Sequence, residues 1–159
     1  MTPRVAILGR HPDGSLRDAT VHNLPASDIV TAVRFDGRLY FANVSFFEDA
    51  ILEAVAANPG AHSLLVVGSG INELDASGEE VMRHVVERLR ENGISVAFSG
   101  LKKQVTDVMK ATGLYAFIGA QNFYATADLA LTAIHAAAAA RGQDGSACPL
   151  RPLPIKRFH

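Results

Sequence analysis

The sequence predicts an α/β domain built on a mixed sheet, with helices covering at least one face of that sheet. Three observations carry the prediction. SLLVVG at 63–68 is a short continuous apolar run of the kind a strand covered on both faces requires. Two strand-then-helix units follow each other between residues 63 and 113. Upstream of them, DIVTAVRF and RLYFAN are β-rich stretches separated only by Asp36-Gly37, a pair that suits the tight turn of a two-residue hairpin. A hairpin followed by strand, helix, strand, helix implies parallel strands joined by right-handed crossovers.

In chain order, RVAILGR reads as a short strand, and HPDGSLRDATVHNLPASD as a turn-rich surface connector. After the expected hairpin, Ser45 and Glu48 have capping-box spacing. Phe47, Ile51, Ala54 and Val55 share a helical face, and Asn58-Pro59-Gly60 stops the helix. SLLVVG is the central strand. INELDASG reads as a turn, from which a second helix runs with Val81, Met82, Val85, Val86 and Leu89 as its apolar stripe, ending at Asn92-Gly93. ISVAF is the next strand, and Ser99-Gly100 opens a third helix whose Leu101, Val105, Val108 and Met109 share a side before Thr112-Gly113. LYAFIGAQNFY holds one short strand. The alanine-rich run from Thr126 to Ala140 is a helix on propensity alone. The expected domain is 1–141, with 142–159 an irregular, flexible tail.

A chain of 159 residues with 48% apolar composition is long enough to bury a core as one domain. A formal charge of −1 gives no footprint for nucleic acid or an anionic membrane surface. The single cysteine, Cys148, has no partner for an internal disulfide, which agrees with a reducing compartment. No apolar run approaches the roughly 20 residues of a membrane span, so the isolated chain is expected to be soluble.

The glycines do not build a nucleotide site. Gly68-Ser69-Gly70 follows a strand, but the third glycine of a dinucleotide fingerprint falls at position 73, where Glu73 stands. Gly100, Lys102 and Lys103 open a helix and form a weak anion-site candidate without the long loop of a phosphate-binding motif. Ser77 and His84 lie about 10 Å apart along a helix axis, too far for one to deprotonate the other. The six histidines show no i, i+4 pair, so neither a nucleophilic centre nor a metal site is read. The acids from Glu73 to Glu80 have a structural explanation, because carboxylates oppose a helix's positive end. Ser77-Gly78-Glu79-Glu80 has the form of a capping box, which makes Ser77 the expected N-cap. The same hydroxyl is a candidate phospho-acceptor. Glu73, Asp75, Glu79 and Glu80 would repel a phosphate there, predicting a switch that disrupts a binding surface rather than tightens the domain.

The succession VRFDGRLYFANVSFFEDAILEAV, LLVVGSGINELDASGEEVM and GISVAFSGLKKQVTDVMKATGL resembles the STAS domain of SulP-family anion transporters, over residues 4 to 135. RFDGRLYFAN followed by an Asp-x-Ser-Gly turn is closer to the transporter branch than to the free-standing anti-sigma-factor antagonists that share the fold. The resemblance implies the STAS fold, with about four α-helices packed largely on one face of a mixed sheet. It also implies a regulatory and protein-interaction domain that is not an enzyme and carries no cofactor. Such a domain sits on the cytoplasmic face of the inner (plasma) membrane as part of a secondary transporter of sulfate, bicarbonate or a dicarboxylate. Its expected partners are the parent's transmembrane domain and a cytosolic regulatory protein; a homodimer and nucleotide binding are left open.

Carried over by position, the phosphorylated serine of the antagonists matches Ser77, with Asp75 and Gly78 as its neighbours and Ala76 in place of a first serine. The implied partner-binding turn comprises Asn72, Glu73, Asp75, Ser77 and Gly78. Many relatives carry an Asp eight residues before the turn's Asp, where this chain has Val67. That departure weighs against a phosphorylation or nucleotide role. The alternative reading is a free-standing antagonist-like regulator switched by phosphorylation of Ser77.

Overall fold

A computed structural model describes residues 4–40 and 43–152. Seven strands form one mixed sheet: β1 (Arg4–Arg10), β2 (Leu16–Asp18), β3 (Val30–Leu39), β4 (Ser63–Val67), β5 (Ile71–Leu74), β6 (Ser95–Ser99) and β7 (Phe123–Tyr124). Their order is β2-β1-β3-β4-β6-β7, with β5 paired to the far end of β3. β1 is antiparallel to both β2 and β3; the β3–β4, β4–β6, β6–β7 and β3–β5 pairs are parallel. Among the described residues five α-helices accompany them: α1 (Val44–Ala56), α2 (Ala76–Glu91), α3 (Lys103–Thr112), α4 (Leu114–Ile118) and α5 (Ala127–Ala140), the last of which follows β7.

The apolar run SLLVVG lies centrally, as its composition requires. Leu64 and Val66 point into a core shared with α1, α2, α3 and α4, whereas Leu65 points to the opposite face, where α5 lies. Four helices therefore cover one face and one covers the other. α2 is held by Met82, Val85, Val86 and Leu89, and α3 by Val105 and Met109, on the stripes the periodicity marks. α3 ends at Gly113 in the left-handed conformation, with φ 85°.

Asp36-Gly37 does not reverse the chain. β3 runs unbroken through the pair and takes a bulge between Gly37 and Arg38, where Gly37 has φ 126°. At this point β3 exchanges β4 for β5 as its neighbour, and Gly37 donates its N–H to Gly70 O at 2.8 Å. A bulge and a tight turn both draw on glycine's access to positive φ, and here the arriving strand β5 selects the bulge. The latter part of RLYFAN, residues 41 and 42, lies outside the described residues. The tight turn belongs instead to the segment read as a connector. His11 donates to Ser15 O at 2.9 Å around Asp13-Gly14, and β2 returns antiparallel to β1. Two further elements were not expected: α4 occupies the start of LYAFIGAQNFY, ahead of its one short strand, β7, and β5 occupies the start of INELDASG.

α1 begins without the expected capping box. Asn43 precedes the helix, Ser45 lies within it, and no side chain caps the first turn. Asn43 is 5% exposed and ties the end of β3 to the helix: its Oδ1 accepts from Tyr40 N at 3.0 Å and its Nδ2 donates to Arg38 O. Residues 142–152 contain neither helix nor strand, and Leu150 within them is buried beside α5.

Candidate functional site

The region from Asn72 to Gly78 is a short strand followed at once by a helix, rather than an open turn. Ile71 and Leu74 are buried and anchor β5, which leaves Asn72 and Glu73 facing outward. Asp75 N–H donates to Leu39 O at 3.2 Å, fixing the exit from β5 against the end of β3. The Asp75 carboxylate then accepts from Gly78 N at 2.8 Å, so Asp75 is the N-cap of α2. Ser77 is displaced from the expected cap to the second residue of the helix, half-buried on its first turn. An aspartate two residues earlier outcompetes the serine because its ionised oxygen makes a charge-assisted bond at the positive end of the helix.

Gly78 sets how closely α2 approaches the sheet. A Cβ at this position would stand 2.3 Å from Leu39 O and 2.9 Å from Leu74 Cδ1. The glycine of the turn is therefore fixed by packing whatever the serine before it does. Removing each oxygen separates the two roles. Asp75→Ala is expected to cost about 1 kcal/mol of stability as the cap is lost, and Ser77→Ala to stay within about 0.5 kcal/mol. Urea denaturation of both variants checks this, and a larger loss for Ser77→Ala would restore the serine as the cap.

The acids of this region do not act as one block of negative charge. Glu73 faces Arg38 at 3.6 Å across the β3–β5 pairing, both side chains well exposed. Glu79 pairs with Arg83 at 2.6 Å, and Arg83 also donates to Thr112 O at 3.2 Å, linking α2 to the end of α3. His84 lies 3.8 Å from Glu48 on α1, two helical turns along α2 from Ser77.

Beside β5, a cleft of about 480 Å³ opens between the end of β3 and α3, lined by Arg38, Tyr40, Glu73, Asp75, Gln104 and Val108 among others. The two candidate groups singled out in the sequence meet along its edge. Lys102 Nζ donates to Asn72 Oδ1, and Gln104 Nε2 reaches Asn72 O at 3.5 Å. Lys103 turns away to Asp107 at 2.7 Å, and that hydrogen bond raises its ammonium above the ordinary value. Gly100 takes φ 68° and donates to Tyr124 O at 3.0 Å, which serves the crossing from β6 to α3. Of the anion-site candidates, only Lys102 reaches β5, through its bond to Asn72. Arg38 and Tyr40, assigned to a hairpin by the sequence reading, are wall residues. Their place depends on the β3–β5 pairing, which no local pattern announces.

The family model for the STAS domain matches residues 22–130. The chain belongs to the STAS domain family. Among curated proteins, the putative sulfate transporter YvdB of Bacillus subtilis is 26% identical over 95 residues, 60% of this chain and 18% of the relative. The probable sulfate transporter 4.2 of Arabidopsis thaliana is 27% identical over 135 residues, 77% of this chain and 20% of the relative. This STAS domain thus spans about one fifth of the length of the curated relatives it matches. Among solved structures, the murine Solute Carrier 26 family member A9 anion transporter in the inward-facing state superposes with a TM-score of 0.75 at 17% identity, over 86% of this chain and 23% of that one. That likeness establishes the fold. Among the described residues, no helix is long and apolar enough to cross a membrane.

Proposed function

We propose that this STAS domain is the non-catalytic regulatory and interaction domain of a SulP-type secondary anion transporter, and that it docks partners over the rim formed by β5, the first turn of α2 and the start of α3. The observation that carries the reading is the division of labour at this rim. Asp75 and Gly78 are consumed in holding α2 against β3, whereas Glu73, Arg38 and Tyr40 present polar and aromatic groups around an open cleft, with Asn72 exposed beside Glu73. A rigid frame with outward-facing mixed polarity suits recognition of another protein surface. The transmembrane part of the parent protein is the first partner, and sulfate, bicarbonate or a dicarboxylate is the cargo class, by analogy with the sulfate transporters this chain resembles.

Ser77 is the point at which such docking is switched. A negative charge on the first turn of α2 gains from the helix's positive end and is opposed by Asp75 and Glu80, which flank it in sequence. Glu79, held to Arg83 at 2.6 Å, adds less to that repulsion. The net effect falls on the surface rather than on the fold. Ser77→Glu is expected to weaken association with the parent's membrane domain by about tenfold, close to 1.4 kcal/mol, with the melting temperature unchanged. Titration of the labelled domain against the purified membrane domain checks this. Unaltered affinity would remove Ser77 from the interface. The coding region upstream of this sequence provides the independent test of the parent: about ten or more apolar spans of roughly 20 residues are expected, and a reading frame without them would sink the transporter assignment.

A further inference from the structure

The face of the sheet opposite the candidate site carries a contact that the docking function does not use. α5 is rich in alanine, and Ala130 and Ala138 face the sheet together with Leu131 and Ile134. Side chains this small cannot alone cover Leu8, Ile29 and Val30, which belong to the same apolar cluster. Leu150 completes the cover. It is 1% exposed and arrives from the irregular segment that folds back after Gly142.

That segment is held by few and separate contacts. Arg10 Nη2 donates to Leu150 O at 3.4 Å, Cys148 Sγ lies 3.0 Å from Ser27 Oγ, and Gly145 lies against the His135 ring, where a Cβ would come within 2.9 Å of Cδ2. Its backbone hydrogen bonds stay local: Gln143 donates to Ala138 O, Cys148 to Gly145 O and Arg151 to Cys148 O. Beneath it, the Arg10 side chain is only 9% exposed and bonds Asp128 at 2.9 Å and Gly14 O at 2.9 Å; its Nε is buried without a partner among the described residues.

We propose that residues 143–151 form a detachable latch, closed by Leu150 and opening as a unit while the sheet and its helices stay folded. The physical basis is the contrast in anchoring. β3 and β4 are joined to neighbours along their length and buried on both faces, while the latch has one fully buried side chain and no ladder to the sheet among the described residues. Local opening is drawn from segments anchored in this way. Opening uncovers Leu8, Ile29, Val30 and the Arg10 guanidinium, a slot that accepts an apolar side chain next to a main-chain carbonyl, as Leu150 now supplies.

Hydrogen exchange by mass spectrometry on the full 159-residue chain tests the latch against the body of the domain. In the unaltered chain, peptides covering 143–151 are expected to exchange at least about tenfold faster than those covering β4. Leu150→Ala is expected to speed the latch by a further tenfold or so, leaving β4 unchanged. Gly145→Val removes no core atom and wedges the segment off the His135 ring, so it should do the same. If either variant speeds β4 by the same factor as the latch, the segment is an integral part of the cooperative core and the proposal fails. It fails equally if neither variant changes exchange in 143–151.

Discussion

Gly78→Ala is expected to destabilise the domain by about 2–3 kcal/mol, although the same exchange inside an unconstrained helix is favourable by up to about 1 kcal/mol. The clash decides the sign. The added Cβ would meet Leu39 O at 2.3 Å and Leu39 C at 2.9 Å, and these are backbone atoms of β3. That carbonyl also accepts the Asp75 N–H, so it cannot move aside without releasing the exit of β5. Either α2 lifts from the sheet, losing contact at Met82 and Val85, or the β3–β5 pairing loosens. Urea denaturation with an unchanged slope and a lower midpoint is the expected record. An unchanged or raised midpoint would mean that α2 does not approach β3 as closely as described.

Phe47→Ala is expected to cost about 3–5 kcal/mol, a large share of the 5–15 kcal/mol by which domains are stable. Phe47 is 2% exposed and meets Phe35 of β3 edge to face, with ring centroids 5.3 Å apart at 87°. Because α1 has no side-chain cap, its place depends on the buried face formed by Phe47, Ile51 and Ala54. The neighbouring Phe46 is 46% exposed, so Phe46→Ala should stay within about 0.5 kcal/mol. Calorimetric or denaturant unfolding of the two variants side by side would distinguish adjacent phenylalanines, one buried and one exposed, on one helix. Equal losses would contradict the orientation of α1.

What could be read from the sequence follows the range over which each signal acts. The apolar run of β4, the stripes of α2 and α3 and the composition of α5 are local, and each appears where the pattern placed it. Asp36-Gly37 misled because its chemistry serves a bulge as well as a hairpin, and the choice is made by β5, thirty-odd residues downstream. β5 itself was hidden. In INEL only Ile71 and Leu74 are buried, so neither the alternation of a half-buried strand nor a continuous apolar run is present. The caps failed for a different reason. Ser45 and Ser77 both begin a Ser-x-x-Glu motif, yet Asn43 and Asp75, each two residues earlier, take the boundary position. An Asx side chain ahead of the serine is the local signal for the boundary, and at α2 it marks Asp75 as the cap. The cleft wall of Arg38 and Tyr40 and the meeting of Lys102 with Asn72 lie beyond local reading, because each joins residues thirty or more apart in the chain.

The β5–α2 rim as a docking surface is tested most directly by amide hydrogen exchange over residues 71–80, compared between the isolated chain and the same segment within its full-length parent in lipid nanodiscs. Slower exchange in the parent, confined to this segment and the start of α3, is the predicted result, and Ser77→Glu should reverse it. Identical exchange in the two settings, with protection appearing elsewhere on the domain, would contradict the docking role of this rim.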